Sequence, residues 1–321
     1  MKILAVDDNL LTLDLLTTLA GRLGFDDVTT ASSGEAAMEL VNRDTEPYQC
    51  FLMDISMPGM DGIELCGLVR ALPAYRKTPI IMLTSMTERD YVDQAFKTGA
   101  TDYATKPFHI TELGARLRMA NEINATRVGA PSDALTADSQ KEPLSENVQI
   151  EGFPGLITYN ALGNYLLQLS KAALAGSQVL AVKIDQIERI HMRGSSQEFS
   201  YALTEVADAI CGAFETKSNM FAYAGNGSFL VVQSKDASVQ AIDLELQVQN
   251  LLDEKDTEFD NGDPMDLDVS IGNPIVPSIN STLPAWDTFD RAISRAESRM
   301  AQKRQHPTCP DVAVQVQSTV Q

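Results

Sequence analysis

Cysteine, tryptophan and histidine are scarce in this 321-residue chain, which has four cysteines, one tryptophan and three histidines. The cysteines lie far apart, so their spacing indicates neither a zinc site nor a disulfide framework: they are Cys50, Cys66, Cys211 and Cys309. The histidines form no nucleophile–base pair that their spacing could support, so we expect solvated or core roles for His109, His191 and His306. We expect Trp286 to be a packing anchor rather than a platform for a ligand.

Basic residues are also few, because 25 lysines and arginines stand against 44 aspartates and glutamates, for a net charge of -19. A chain this acidic repels a phosphate backbone, so we expect no direct binding to nucleic acid. The acidic excess is compatible with binding of cations or of a basic protein partner. It is equally compatible with solubility alone.

Long apolar runs are absent, and no segment approaches the roughly 20 apolar residues that span a bilayer. The N-terminus turns acidic at Asp7 and Asp8 after one short apolar run, unlike a secretory signal. We therefore expect a cytoplasmic protein that does not contact a membrane.

The first 120 residues or so repeat a short apolar run, a turn and a segment with helical spacing. This order predicts an α/β domain over residues 1–123, with a doubly wound, five-stranded parallel sheet. The predicted strands are Ile3–Val6, Val28–Ala31, Phe51–Met53, Pro79–Leu83 and Tyr103–Thr105. The predicted helices are Leu10–Leu23, Glu35–Asn42, Ile63–Leu72, Glu88–Thr98 and Ile110–Glu122.

A change of composition at residues 124–149, towards Ala, Ser, Asp, Pro, Glu and Lys, predicts a linker. Residues 150–302 predict a second, α+β domain with a partly antiparallel, mixed sheet, and residues 303–321 a disordered tail. The predicted helices of the second domain are Tyr159–Leu174, Glu198–Phe214, Val239–Leu252 and Trp286–Met300. Its predicted strands are Val179–Ile184, Met220–Ala224, Phe229–Gln233 and Leu267–Ile271.

Polar residues stand at the carboxyl ends of the predicted parallel strands, where doubly wound sheets collect their ligands. They are Asp7, Asp8, Asp54, Thr84 and Lys106. Carboxylates that converge there repel one another unless a cation or a lysine neutralises them. Because Mg²⁺ prefers oxygen ligands, these residues predict a magnesium site.

The same residues meet the demands of phosphoryl transfer to a carboxylate. We expect Asp54 to attack, Thr84 to donate its hydroxyl to a phosphoryl oxygen, and Lys106 to contribute its ammonium. Taken singly, Asp7 could be a helix cap, Thr84 a strand terminus and Lys106 a solvated charge. Their joint placement at strand ends favours the functional interpretation.

Residues 1 to about 122 resemble the receiver domain of two-component response regulators. The motifs that carry the resemblance are Asp7-Asp8-Asn9, Met53-Asp54, Met57-Pro58-Gly59-Met60-Asp61-Gly62, Leu83-Thr84-Ser85 and Lys106-Pro107-Phe108. The resemblance implies phosphorylation of Asp54 by a histidine kinase or phosphotransfer protein, with Mg²⁺ bound by Asp7, Asp8, Asp54 and the backbone carbonyl of Ser56. It further implies that Tyr103 is a switch that acts with Thr84 and that phosphorylation promotes homodimerisation through the fourth-helix face. The alternative for Tyr103 is a half-buried aromatic at a sheet edge.

Residues from about Tyr159 to Met300 are similar in order and spacing to the GGDEF domain of diguanylate cyclases. The resemblance rests on Tyr159 to Asn164, on Val269-Ser270-Ile271-Gly272, on Ala292 with Ala296, and on Ala224 to Ser228 as the signature turn. Lys183 and Gly227 then stand where the family has metal-binding carboxylates, and Asp185 alone cannot hold two cations.

The positions that would bind nucleotides also depart from the GGDEF pattern. His191 and Ser200 replace the residues that bind guanine, and Glu215 and Ser218 replace the product-binding motif. We expect a non-catalytic module for interaction or dimerisation, with an unknown downstream protein partner. Two alternatives stay open: a weakly active diguanylate cyclase, and a sensor of GTP or cyclic di-GMP. Asn226-Gly227 could be a hairpin turn, or its loop could accept a phosphate through backbone amides.

Overall fold

The computed structural model describes residues 1–85, 89–128, 144, 150, 153–169, 171–214, 219–235, 240–277 and 284–305. The predictions for Glu88, Glu215, Ser218, His306, Cys309, most of the linker and the tail beyond residue 305 lie outside these residues. No helix in the described parts of the chain combines the length and apolar character needed to cross a lipid bilayer.

The first domain alternates strands and helices as predicted. Its strands are β1 (Ile3–Val6), β2 (Val28–Ala31), β3 (Cys50–Asp54), β4 (Ile80–Thr84) and β5 (Asp102–Thr105). Its helices are α1 (Leu10–Arg22), α2 (Gly34–Arg43), α3 (Gly62–Ala71), α4 (Arg89–Thr98) and α5 (Ile110–Val128). The strands form one parallel sheet in the order β2-β1-β3-β4-β5, which confirms the predicted five-stranded parallel sheet.

Side chains from both faces of this sheet enter separate apolar clusters beneath the helices. The central strands β3 and β4 are buried along their whole length, as expected for strands covered on both faces. Asn9, Ser33 and Asp61 cap the N-termini of α1, α2 and α3. Helix α1 therefore begins directly after Asp7, Asp8 and Asn9, which follow β1.

Among its described residues, the second domain has four strands: β6 (Ser177–Ile184), β7 (Met220–Tyr223), β8 (Ser228–Ser234) and β9 (Val269–Ile271). Its helices are α6 (Tyr159–Gln168), α7 (Lys171–Ala175), α8 (Ile187–Arg193), α9 (Ser196–Ala213), α10 (Ala241–Asp253) and α11 (Pro284–Gln305). The strands pair antiparallel in the order β7-β8-β6-β9, and an isolated parallel bridge joins Leu156 to Phe221. This is the mixed α+β architecture that the sequence predicts.

Three of the predicted element bounds differ from the structure by more than two residues. The predicted helix over 159–174 is interrupted, because Leu169 is extended where α6 ends. Helix α5 continues to Val128, inside the predicted linker. Helix α11 continues to Gln305, inside the predicted tail, since Lys303 on its last turn donates to the Val269 carbonyl of β9 at 2.8 Å.

Helix α8 was not predicted at all. It begins after Gln186, which has a left-handed backbone with φ of 54°, and it buries only Ile187 and Ile190. Two apolar positions in seven residues are too few to give a helical period that can be distinguished from a loop.

Candidate functional site

Three carboxylates converge at the carboxyl edge of the parallel sheet. Asp7 and Asp8 follow β1, and Asp54 is the last residue of the neighbouring strand β3. One carboxylate oxygen from each of the three lies within 4.8 Å of the others. Oxygen donors grouped in this way fit a hard divalent cation such as Mg²⁺, which fills its remaining positions with water.

The backbone around β1 orients Asp7 into this site. Its Oδ1 accepts a hydrogen bond from the Asn9 amide at 3.0 Å, and its side chain is fully buried. The cap of α1 is supplied by Asn9, whose Oδ1 accepts from the Leu11 amide at 3.0 Å. The alternative interpretation of Asp7 as a helix cap is therefore wrong.

Lys106 supplies the cation that the carboxylates need. Its Nζ donates to Asp7 Oδ2 at 2.6 Å and to Asp54 Oδ1 at 2.8 Å. The Lys106 side chain is 23% exposed and those of Asp7 and Asp54 are 0% and 6% exposed, so the ion pairs are largely shielded from water. The alternative of a solvated lysine is excluded by these contacts.

The carboxylates and the lysine shift each other's protonation. Burial raises the pKa of Asp54, Lys106 opposes that rise, and the charges of Asp7 and Asp8 add to it. Burial works to lower the pKa of Lys106, but its hydrogen bonds and ion pairs with Asp54 and Asp7 outweigh burial and raise that pKa. Lys106 is thus held as a cation against a carboxylate that is costly to keep charged.

Two further predicted residues flank Asp54. Thr84 ends β4, is 1% exposed, and its carbonyl accepts from the Lys106 amide at 2.8 Å. Ser56 lies exposed in the loop between β3 and α3. The metal ligand proposed for the Ser56 carbonyl and the phosphoryl contact proposed for the Thr84 hydroxyl stay predictions.

Tyr103 is on β5, the edge strand, and is 6% exposed because the second domain covers it. Its ring packs edge-on against Phe96 at 6.1 Å between centroids, and its hydroxyl donates to the Gln168 carbonyl of α6 at 3.0 Å. Burial raises the pKa of Tyr103 to about 12. The alternative prediction for Tyr103 was a half-buried aromatic at a sheet edge. It gives the right position at the edge of the sheet but the wrong burial, because Tyr103 is buried.

Sequence reasoning missed the residues of α6 that lie against Tyr103. Six consecutive residues of this helix, 161–166, are buried. A helix that is covered on all sides needs apolar or small residues around its whole circumference, and the run Ala161 to Leu166 has that composition apart from Asn164. This all-round apolar character is the signal that could have indicated packing between the two domains.

The second domain places a lysine where the GGDEF resemblance puts a metal ligand. Lys183 on β6 is 5% exposed, and its Nζ donates to the Asn226 carbonyl at 2.5 Å. Asp185 lies just after β6, with one oxygen accepting from the Ser270 hydroxyl at 3.0 Å and with Lys303 at 3.5 Å. Burial raises the pKa of Asp185, and the Lys303 charge opposes that rise.

The loop between β7 and β8 is longer than the two-residue turn that Asn226-Gly227 suggested. Gly225, Asn226 and Gly227 all have positive φ, at 86°, 50° and 68°. The Asn226 amide donates to the Leu144 carbonyl at 2.8 Å, and the Gly227 amide donates to the Tyr223 hydroxyl at 3.0 Å. Two amides of the candidate phosphate loop therefore have acceptors within the chain.

Other predicted side chains lie in packing roles or outside the sites. Trp286 packs against Tyr159 and Phe289, with ring centroids 5.2 and 5.7 Å away. His191 packs edge-on against Phe199 at 4.9 Å. The cysteines among the described residues are free thiols.

Comparison with known proteins identifies the first domain. The family model described as "Response regulator receiver domain" matches residues 3–118. A probable chemotaxis protein CheY of Rhizobium etli is 34% identical over 117 residues, which are 36% of this chain and 89% of that protein. The alkaline phosphatase synthesis transcriptional regulatory protein PhoP of Bacillus subtilis is 35% identical over 140 residues, 44% of this chain and 55% of that protein.

Among solved structures, the Vibrio cholerae chemotaxis protein CheY4 is 30% identical and aligns with 37% of this chain and 97% of its own, with a TM-score of 0.35. The family model ends at residue 118, well before the second domain begins. Its matched region contains Asp7, Asp8, Asp54 and Lys106, which meet in space. The chain belongs to the response regulators, with a receiver domain at residues 3–118.

Proposed function

We propose that Asp54 accepts a phosphoryl group from a histidine kinase or phosphotransfer protein, with Mg²⁺ held by Asp7, Asp8 and Asp54. The observation that carries this proposal is the convergence of the three carboxylates within 4.8 Å beside the Lys106 ammonium. Mg²⁺, when bound, neutralises charge on the phosphoryl oxygens. The Ser56 carbonyl would complete the protein ligands.

In the proposed transfer, a carboxylate oxygen of Asp54 bonds to phosphorus as the phosphorus–nitrogen bond of a phosphohistidine breaks. The electron pair of the broken bond stays on the donor imidazole, which then takes up a proton, and Asp54 becomes an acyl phosphate. Lys106 already contacts Asp54 Oδ1 at 2.8 Å, so its ammonium is positioned to bind a phosphoryl oxygen. Thr84 is placed at the end of the adjacent strand to donate its hydroxyl to another oxygen.

The surface beside the site carries exposed leucines that a protein partner can cover. Leu10, Leu11 and Leu15 are 66%, 77% and 44% exposed on α1, which begins directly after the acidic residues. Exposed leucines clustered on one helix are costly unless a partner covers them. We propose that the phosphodonor protein packs on this part of α1.

Phosphorylation of Asp54 is tested with acetyl phosphate and Mg²⁺ followed by intact-mass measurement. We expect the mass of one phosphoryl group to be added to the native chain and to Asp14→Asn, a control that removes an exposed charge on α1. Asp54→Asn should gain no mass. Equal labelling of Asp54→Asn and the native chain would refute the assignment.

For the second domain, we propose a GGDEF-like module that does not form cyclic di-GMP and acts through protein interactions. Support comes from the Lys183 ammonium, which binds the Asn226 carbonyl in the place where a metal carboxylate would be needed. A cation at this position repels a divalent ion. The charge on Lys183 and the occupied loop amides both disfavour a bound triphosphate with its metals.

Incubation of the purified chain with GTP and Mg²⁺ tests this second proposal. We expect no cyclic di-GMP by chromatography and no heat in calorimetric titrations with GTP or cyclic di-GMP. Product formation would favour the cyclase alternative, and heat without product would favour the nucleotide sensor.

A further inference from the structure

Residues 55–61 form the β3–α3 loop, which lies directly beside the phosphorylation pocket. The loop follows Asp54, ends at Asp61, the cap of α3, and contains the Ser56 carbonyl proposed as a Mg²⁺ ligand. The Gly62 amide closes the base of the loop by donating to the Ile55 carbonyl at 3.0 Å. The position of the Ser56 carbonyl oxygen therefore depends on how the rest of the loop is held.

Glu35, in the first turn of α2, holds the far end of the β3–α3 loop. Its Oε1 accepts a hydrogen bond from the Met60 amide at 3.0 Å. The same oxygen lies 2.8 Å from the place where a Cβ on Gly59 would stand, and Gly59 has a positive φ of 76°. The Glu35 carboxylate thus occupies the space that glycine leaves open at this position.

Helix α2 is packed closely against the loop, so it supports Glu35 firmly. Gly34 is buried, and a Cβ at Gly34 would meet the Met60 side chain at 2.8 Å. Ser33 caps the helix by accepting a hydrogen bond from the Ala36 amide at 3.2 Å. These contacts fix the start of α2, and the Glu35 side chain with it, at the end of the loop.

The Glu35 carboxylate is also held in its charged form. The pKa of Glu35 lies below its usual value, because its own amide, the Met60 amide and the Ser33 side chain hydrogen-bond to it. A negative charge in the first turn of a helix is further favoured by the helix dipole. Since a charged acceptor forms a stronger hydrogen bond than a neutral one, Glu35 is a strong acceptor for the loop.

We infer that Glu35 is a positioning residue for the Mg²⁺ site, which keeps the β3–α3 loop in one arrangement before the ion binds. This inference rests on the proposed function and deepens it, because it concerns the same ion and names a residue that acts on the site through the loop. A loop that is already ordered does not lose conformational entropy when Mg²⁺ binds, so the affinity is higher.

The size of the effect follows from the behaviour of other metal sites. Loss of a group that orients a metal ligand typically weakens metal affinity by about 10- to 100-fold. Glu35 is exposed, so its hydrogen bond competes with water. We therefore expect the lower end of that range, about tenfold.

Calorimetric titration of the full chain with Mg²⁺ alone tests the inference. Glu35→Ala removes the acceptor and should bind Mg²⁺ about tenfold more weakly than the native chain. Glu39→Ala is the matched control, because it removes the same charge from an exposed position one turn later on α2, and it should bind as the native chain does. Glu35→Gln keeps an acceptor oxygen and should lose only about threefold in affinity.

Two further measurements separate a positioning role from a general loss of stability. In Mg²⁺-free protein, the amides of residues 56–62 should exchange hydrogen faster in Glu35→Ala than in Glu39→Ala. Labelling of Glu35→Ala by acetyl phosphate should need about ten times more Mg²⁺ to reach half its maximal rate. The rate at saturating Mg²⁺ should match that of the native chain, whereas damage to the fold would lower it.

The outcomes distinguish the inference from the proposed function. Equal Mg²⁺ affinity of Glu35→Ala and Glu39→Ala, with a native chain that binds Mg²⁺ and is labelled, would overturn the inference and leave the proposed function standing. An affinity of Glu35→Gln as low as that of Glu35→Ala would also overturn it, because charge and not the hydrogen bond would then be responsible. A native chain that neither binds Mg²⁺ nor gains mass from acetyl phosphate would overturn the proposed function, and the inference with it.

Discussion

Gly62 lies so close to Asp54 that a Cβ at Gly62 would overlap the Asp54 carbonyl oxygen. The Gly62 amide also donates to the Ile55 carbonyl at 3.0 Å, which ties the start of α3 to the end of β3. The candidate phosphoacceptor is therefore held by a backbone contact that only glycine permits.

Gly62→Ala is expected to lower the free energy of unfolding by about 3 kcal/mol, because the backbone must shift to relieve the overlap. It should also slow labelling of Asp54 by acetyl phosphate. Urea denaturation and intact mass measure the two effects. Gly21→Ala is the control, since its added Cβ would meet its nearest neighbour at 3.6 Å. Because α1 is a helix there, that control should gain up to about 1 kcal/mol.

Lys106→Met is expected to lower the free energy of unfolding of the Mg²⁺-free protein by about 2 to 3 kcal/mol. This loss is smaller than that for breaking a fully buried ion pair, because Lys106 keeps some contact with water. The physical reason is that Asp7 and Asp54 would face each other without a cation. Adding Mg²⁺ should restore stability more in this variant than in the native chain. Lys77→Met, at an exposed lysine, is the control for urea denaturation and should change little. A variant as stable as the control without Mg²⁺ would contradict this account.

Mg²⁺ is expected to stabilise the protein at neutral pH, by about 2.7 kcal/mol when its concentration is a hundred times its dissociation constant. The ion binds the carboxylate form of Asp54, whose pKa is raised. Protons therefore compete with Mg²⁺ at pH values above those at which an aspartate ordinarily titrates. The stabilisation should be full at neutral pH and lost as the pH falls through the raised pKa of Asp54.

In Mg²⁺-free solution, the contribution of Asp54 to the free energy of unfolding changes with pH in the opposite direction. A raised carboxyl pKa means that folding binds a proton, so this contribution is largest at low pH and declines as the pH rises through that pKa. Thermal unfolding at several pH values with and without Mg²⁺ checks both signs. Asp8→Asn should lose most of the Mg²⁺ effect and Asp14→Asn none of it. A Mg²⁺ effect that is independent of pH would argue against binding by Asp54.

In the second domain, Glu245 joins α10 to α11 and β9. Its carboxylate accepts from the Ile271 amide at 2.8 Å and from Arg299 Nη2 at 2.8 Å. Glu245→Ala should lower the free energy of unfolding by about 3 kcal/mol, because it leaves a buried amide and a cation without their acceptor. Arg299→Met should cost less because Arg299 is 32% exposed. The double variant should lower the free energy of unfolding by less than the sum of the two single losses. The control is Glu254→Ala, at an exposed position.

The strands of the first domain were predictable to within a residue or so. The apolar runs at Phe51–Met53 and Pro79–Leu83 became β3 and β4 because strands buried on both faces need uninterrupted apolar sequence. The pocket was predictable for a related reason: the carboxyl ends of parallel strands share one edge, so Asp7, Asp54 and Lys106 had to meet. Helix α8, with two buried positions, gave no comparable signal.

Local periodicity and strand order in the amino-acid sequence are enough to predict the parallel sheet, the residues at its carboxyl edge and the cation that balances them, because they place those side chains together. The packing of the folded chain is needed to show that α6 covers Tyr103 and that Lys183 binds the Asn226 carbonyl. Tyr103 and Gln168 are 65 positions apart, and Lys183 and Asn226 are 43 apart. Contacts at such separations depend on how whole elements pack, and a local pattern of residues does not contain that information.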